Sequence, residues 1–554
     1  MRSVVQSIDY AAIAPAVIVA LTAFVVLVAD LFLPPARKHL LGWLAGLGVA
    51  AALVSLLPLW DSPRRTFCLP APNAELCSYE VTNLTLILQL LVLGGAFVVV
   101  LMSVPTIEER RLPAGEYWFL LLCSVTGAVT IAAGRDLITL VVALELVSLP
   151  AFALVAIDRS DRWASEGAMK FFLTSVVSVA VTLYGISLIY GVTGSVHLAG
   201  VSEALTDASL QPTVVSLGVV LTLVGFAFKV AAVPFHGWLP DTYVAAPIPV
   251  AAYLSVVSKA AGFAGLLLIV GLGFAPYVNI WGPVLAVFAA LTMTVANLVA
   301  LRQRHAVRLL AWSSIAHSGY AMVPLAAAFA PGSAELAIGD ALLVTVTYLL
   351  VYGVMNLGAF AVVAVVARDR PANRLVDYRG LIRTRPWAGV ALAFFLACLA
   401  GLPPGLIGLF AKVVVFGSAV DGGVGWLAVV MAINTVIALY YYLVWAAQIF
   451  APAPAPEVAA PAAVPAGATV DAPAAASAIA GTQPAHTDTA GGASLDRESV
   501  ADAGSVVDRG PVRAAGAVPV GLGLAVGLTL LAGVILSVLP QIVLQVLVNV
   551  TAGG

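Results

Sequence analysis

The chain has 554 residues, 62% of them hydrophobic and 10% charged, with a formal net charge of −2 and a mean hydropathy of +1.05. That composition excludes a soluble globular domain of this size and describes a polytopic membrane protein. The small net charge gives no argument for nucleic acid as a partner. Four cysteines without a CxxC pair or a Cys/His cluster argue against a metal or iron–sulfur site, and no phosphate-cradling or dinucleotide-binding glycine motif is present.

The start, MRSVVQSIDY, lacks a basic n-region, and the first apolar run is full length, so no cleaved signal is expected. Apolar runs long enough to span a bilayer are Ala11–Leu33, Leu40–Trp60, Val81–Val104, Glu116–Ala133 and Leu137–Ile157. Phe171–Val192, Val214–Phe235, Pro249–Gly273 and Trp281–Leu301 follow, then Leu309–Ala330, Asp340–Ala367, Trp387–Ser418, Val424–Phe450 and Ala514–Leu539. The fold class is therefore an all-α integral membrane protein of about fourteen transmembrane helices. With the N-terminus outside, 19 of the 26 lysines and arginines fall in inside loops, 4 outside and 3 within the membrane. By the positive-inside rule both termini are expected outside, in the periplasm.

Cys68 and Cys77 share the loop between the second and third spans, outside on this topology, where oxidation is allowed. A disulfide is expected there, with two unpaired thiols as the alternative. Cys123 and Cys398 lie in apolar runs and should be free. Residues 451–513 are Ala/Pro-rich, then Gly/Ser/Asp-rich. They cannot bury a core and read as a disordered cytoplasmic linker, either chemically inert or a docking arm for a neighbour.

Two runs look interrupted. Val214–Asp241 contains Pro234 and Pro240, and Trp387–Ser418 contains the sequence GLPPG. Proline removes a backbone donor and breaks or kinks the helix. Irregular backbone at membrane depth is tolerated only inside protein or beside a cavity. The breaks fall in helices seven and twelve, an odd offset, as expected of two inverted five-helix repeats around a transport site. The expected organisation is helices one to three (1–104), a first repeat of helices four to eight (116–273), an inverted second repeat of helices nine to thirteen (281–450), the linker (451–513) and the last helix (514–554).

Three of the five lysines, Lys229, Lys259 and Lys412, stand in apolar surroundings. Lys259 lies ten residues past Pro249, ~15 Å along a helix, near the middle of a ~30 Å hydrocarbon layer. A charge there costs ~2.5–3.5 kcal/mol on insertion scales. Glu145 sits in the fifth span, His317 in the tenth, and Asn297, Asn356 and Asn434 in others. Burial disfavours the charged form of a lysine and an acidic neighbour restores it. Moving that neighbour loads and unloads a proton, and a histidine can bridge between such groups. For each lysine the bland alternative is packing or snorkelling. For His317 it is a satisfied core histidine, and for the asparagines interhelical hydrogen bonds. Glu166 and Lys170, one turn apart, are either a surface ion pair or the place where a cytoplasmic proton arrives.

The segment VPFHGWLPDTYVAAPIPVAAYLSVVSKAAGF, with LAGLPPGLIGLFAKVVVF, SSIAHSGY and LVDYRGL, resembles the signature of the antiporter-like, proton-translocating subunits of respiratory NADH-quinone oxidoreductase (complex I). The details are closest to the subunit N family. Subunits L and M and the large subunits of multisubunit sodium/proton antiporters are its relatives. The resemblance covers roughly residues 80–450. It implies fourteen helices with broken helices seven and twelve, and no cofactor in this subunit. Flavin and iron–sulfur clusters are then expected in partner subunits, with other membrane subunits and lipids as neighbours in a bacterial plasma membrane.

By position, the resemblance makes Glu145 and Lys229 a pair between helices five and seven. Lys259 becomes the central lysine, Lys412 the terminal one leading to the periplasm, and His317 a bridge. Glu166 and Lys170 lie at the inner side. Subunit M and the antiporter relatives usually carry glutamate where Lys412 stands, which favours N. The expected function is proton translocation driven by electron transfer in other subunits. The rivals are a cation/proton antiporter component and a structural subunit that no longer pumps.

Overall fold

A computed structural model describes residues 8–541, except 61, 71–72, 208, 329–334 and 453–515. The expected disordered linker therefore lies, beyond its first two residues, outside the described residues, as does everything after position 541.

Helix α1 (Tyr10–Phe32) starts where the Asp9 carboxylate accepts the amides of Ala11 and Ala12, the usual way an Asp N-cap satisfies orphan donors. After α2 (His39–Val54) comes a two-stranded antiparallel ribbon, β1 (Arg64–Cys68) and β2 (Cys77–Val81), in which Cys68 and Cys77 face each other. They are joined by the expected disulfide, and Cys123 and Cys398 are free. The ribbon itself is absent from the sequence reading. Thr82 caps α3 (Asn83–Arg110), which leads to α4 (Ala114–Ala133). Asp136 caps α5 (Leu137–Val155), and Asp161 caps the long α6 (Arg162–Thr193). Gly194 ends α6 at φ +67°, a left-handed position that suits glycine.

Short α7 (Leu198–Ala204) precedes α8 (Pro212–Lys229), which stops at Lys229 itself. Residues 230–238 are irregular before short α9 (Leu239–Ala245). Within this break Ala231 takes a left-handed φ of +59°, which costs a non-glycine residue roughly 1–2 kcal/mol. The break satisfies freed backbone groups with side chains: Val233 N–H donates to Thr292 Oγ1 at 2.9 Å, and Trp238 Nε1–H to the Phe228 carbonyl at 3.4 Å. The next span, Ile248–Gly273, runs from α10 (Ile248–Tyr253) through a π turn at Leu254–Ser258 into α11 (Lys259–Leu268) and ends in a second π turn at Ile269–Gly273. Lys259 is the residue straight after the first π turn, a feature that recurs at functional sites.

Next come α12 (Val278–Ala300), α13 (Ala306–Ala327) and α14 (Glu335–Asp369). After short α15 (Leu381–Thr384), α16 (Pro386–Ala400) and α17 (Leu406–Asp421) replace the single predicted span Trp387–Ser418. They are parted by a second break where Gly401 ends α16 at φ +83°. The last helices among the described residues are α18 (Gly425–Phe450) and α19 (Val520–Val538).

Among the described residues, twelve spans are long and apolar enough to cross a membrane. The two further predicted spans correspond to α13 and to the α16–α17 pair. The pair is split by the break. Helix α13 is buried along almost its whole length, so protein rather than lipid surrounds its Ser313, Ser314, His317 and Ser318. One end of the bundle carries the ribbon, to which Arg135 is tied through Glu80, with a further bond to Thr85 at the start of α3. The other end carries most of the arginines and is called here the basic face.

Candidate functional site

The first buried lysine, Lys229, ends α8 and is 2% exposed. Its ammonium donates to Ser148 Oγ on α5 at 2.8 Å and lies 5.7 Å from the centre of the Phe171 ring. Ser148 follows Glu145 by three residues, so helical spacing puts both on one face of α5. The expected pairing of Glu145 with Lys229 is not a contact. The two interact electrostatically, yet they form no ion pair among the described residues, and Glu145 Oε1 is buried without a hydrogen-bond partner. Ser148, one turn from Glu145, is the residue of α5 that accepts from the Lys229 ammonium.

Lys259 is 2% exposed and donates to both the carbonyl and the hydroxyl of Ser314 on α13, at 2.7 and 2.6 Å. Tyr352 of α14 donates to the same hydroxyl at 2.8 Å. Asn356, one turn on, donates to Ser255 Oγ in the π turn at 2.8 Å. The middle lysine is thus held by two neutral oxygens of one residue, Ser314, whose hydroxyl Tyr352 also contacts.

His317 lies one turn beyond Ser314 on α13. Its Nδ1 is 2.7 Å from Tyr348 OH and its Nε2 3.3 Å from Tyr442 OH. Tyr442 is also bonded to Ser313. The Tyr352 ring lies 4.9 Å from the imidazole. Tyr352 therefore belongs to both surroundings, bonded to the Ser314–Lys259 group and packed on His317.

Lys412, on α17, donates to the carbonyls of Leu399 and Ala400 at 2.9 Å each. These are the last carbonyls of α16, exposed by the second break, and a cation at a helix C-terminus is favoured by the helix dipole. The ammonium also lies 5.8 Å from the centre of the Tyr320 ring. Tyr320 connects onward to the buried amide cluster, where Asn297 donates to Asn434 Oδ1 at 3.2 Å and accepts from Tyr441 OH at 3.0 Å.

Glu166 and Lys170 form the expected i,i+4 pair at 2.9 Å. They stand at the basic face and touch none of the buried lysines. Lys170 also reaches Asp241 on α9 at 3.0 Å, and Asp241 in turn holds Arg308 of α13 at 3.1 Å. Asp241 and Arg308 were not assigned a site role from sequence, nor were Ser148, Ser314 and the tyrosines around His317. The available signals were the Glu145–Ser148 spacing, the serines of SSIAHSGY and the i,i+4 spacing of Tyr348 and Tyr352.

Lys229, Lys259, His317 and Lys412 are each buried, and each is hydrogen-bonded to neutral oxygens. Neutral acceptors leave an ammonium free to lose its proton, which a tight carboxylate pair resists.

The family model for the transmembrane region of NADH:quinone oxidoreductase and Mrp antiporter subunits matches residues 134–438. The chain is 59% identical over 470 residues to NADH-quinone oxidoreductase subunit N 2 of Streptomyces griseus, covering 84% of this chain and 87% of the relative. It is 45% identical to NADH-quinone oxidoreductase subunit N of Salinispora tropica, covering 80% and 85%. Among solved structures it is similar to a chain of respiratory complex I from Thermus thermophilus with bound aureothin. The TM-score is 0.68 at 28% identity, over 96% of this chain and 98% of that one. A chain of the Mrp complex from Dietzia sp. DQ12-45-1b matches in fold with a TM-score of 0.73 at 21% identity, over 97% and 96%.

Proposed function

The chain belongs to the NADH:quinone oxidoreductase/Mrp antiporter family, and from that premise we propose that it is the subunit N type of proton-translocating membrane subunit of NADH-quinone oxidoreductase. The observation that carries the reading is the row Lys229, Lys259, His317 and Lys412, all buried and all bonded to neutral oxygens. A structural subunit has no use for three lysines placed where charge is costly. Protons reach Lys229 from the basic face, where Glu166, Lys170 and Asp241 gather. They pass to Lys259, then through His317 to Lys412 and out on the ribbon side. Glu145 sets the charge state of Lys229 from beside it. The two broken helices belong to two inverted five-helix repeats, 116–273 and 281–450, which meet at this row.

NADH oxidation and quinone reduction take place in other subunits, which carry the flavin and iron–sulfur clusters. This chain contributes no cofactor. Its neighbours are other membrane subunits of the same complex, and it lies in the bacterial plasma membrane with the basic face toward the cytoplasm and both termini outside. Lysine at position 412 supports this reading over a cation/proton antiporter component. The test is affinity purification of the tagged chain from its own membranes. Flavin- and iron–sulfur-containing subunits with NADH:quinone activity should copurify. Recovery of antiporter subunits alone would overturn the reading.

A further inference from the structure

Phe171 and Trp238 lie face to face, ring centroids 4.1 Å apart and planes within 8° of parallel. The stack separates two charged regions. On one side Lys170, the residue before Phe171, is bound to Asp241 at 3.0 Å, and Asp241 follows Trp238 by three residues at the start of α9. On the other side the Phe171 ring meets the ammonium of Lys229 at 5.7 Å. The outer groups are partly exposed, Lys170 at 47% and Asp241 at 33% by side chain, while Phe171 and Trp238 are buried at 0% and 3%.

Phe152 packs edge-on against Phe171 at 4.5 Å, and Phe228 lies 5.4 Å from Trp238. The single polar atom of the stack, Trp238 Nε1, is committed to the Phe228 carbonyl next to Lys229. Aromatic carbon offers a proton no relay, and a narrow apolar constriction expels the water chain that would carry it.

We infer that the Phe171–Trp238 stack is the seal between the basic-face ionic cluster and Lys229, and that the two rings must part for a proton to reach the lysine. The inference rests on the proton-translocating reading and adds two positioning residues to it. Trp238 is the N-cap residue of α9, and Asp241 lies in its first turn. The Trp238 carbonyl accepts the Thr242 hydroxyl at 2.6 Å, and that hydroxyl also reaches Gly167 of α6 at 3.4 Å. Exchange of the Asp241 pairing with Lys170 and Arg308 therefore acts on the short helix that holds the indole.

The test reads access directly. In the full complex in inside-out vesicles, with Cys123 and Cys398 replaced by serine, Ser148→Cys serves as a reporter beside Lys229. It is labelled with 2-aminoethyl methanethiosulfonate. With the stack intact, labelling should be slow. Trp238→Ala and Phe171→Ala should each speed it by at least about tenfold, as release of a protected group does. Trp238→Phe, which keeps a flat ring, should stay within about twofold of the intact stack. In separate preparations with Ser148 unchanged, electron transfer should persist in the Ala variants while protons pumped per electron fall. Phe171→Leu, which keeps volume but loses the flat face, gives the same reading if an Ala variant does not assemble. Unchanged labelling in the assembled variants overturns the seal. Full pumping by Lys229→Ala overturns the functional reading instead, and the labelling result stands apart from it.

Discussion

The ammonium of Lys229 is bonded to Ser148 at 2.8 Å, while Glu145, one turn away on the same helix, keeps a buried oxygen without a partner. A lysine bonded to a hydroxyl can give up its proton at lower cost than one locked to a carboxylate. In this structure the serine, and not the glutamate, holds the cation.

Ser148→Ala removes that acceptor. Leaving a buried donor unsatisfied costs about 1–3 kcal/mol, and the lysine's remaining option is Glu145. The variant should assemble, transfer electrons and pump fewer protons per electron, because Lys229 is held charged. Ser148→Thr, which keeps the hydroxyl, should pump better than the alanine variant. Equal pumping by alanine, threonine and wild type, measured in vesicles, would remove Ser148 from the path.

Asp241 joins Lys170 to Arg308 across three helices. Each partly exposed pair is worth about 0–1 kcal/mol, so Asp241→Asn should leave assembly unchanged. It should slow the initial rate of proton uptake more than Glu166→Gln, because Asp241 bridges two cations and Glu166 contacts one of them. A larger effect from Glu166→Gln would move the arrival point away from α9.

Three of the buried lysines were legible because a charge inside an apolar run is conspicuous in a sequence. Their partners were not. Serines in membrane helices commonly bond a carbonyl of their own helix, as Ser148 does with Leu144 at 2.6 Å, and sequence gives no sign which also accept from a lysine. The prolines located both breaks, but the exact stop of α8 at Lys229 depends on Thr292 and Trp238, which come from elsewhere in the chain. The ribbon escaped notice because its strands are five residues each and lie between membrane spans, whereas the disulfide that closes it was the expected one of two readings of cysteines sharing an outside loop. The Phe171–Trp238 stack joins residues 67 positions apart, and only packing brings them together.

The ribbon gives a thiol count. Under denaturing conditions two cysteines, Cys123 and Cys398, should label before reduction and all four after it. Equal labelling before and after reduction would contradict the bridge.

Asp9 gives a pH dependence outside the membrane. Partial burial disfavours its carboxylate, but the hydrogen bond from Arg64, the amides of Ala12 and Ala11 and the Arg64 charge outweigh this and hold its pKa below the ordinary aspartate value. A depressed carboxylate pKa stabilises the fold above the unfolded value, and that contribution is lost as pH falls through the folded one. Hydrogen-exchange protection of the first turn of α1, corrected for intrinsic rates, should be level from neutral pH to about pH 4 and fall below it. A fall between about pH 5 and 6 would implicate another group.

The central claim is that Lys259 passes a proton between Lys229 and the His317–Lys412 side. The most direct measurement is protons pumped per electron in vesicles for Lys259→Ala and Lys259→Arg, with the subunit quantified in the purified complex. Alanine removes the titrating group, and arginine keeps the charge but does not release it. The account predicts that both assemble, arginine the better of the two, and that both fall alike in pumping. Lys259→Ala assembled and pumping at the wild-type ratio, or arginine pumping normally while alanine fails to assemble, would contradict it and return Lys259 to packing.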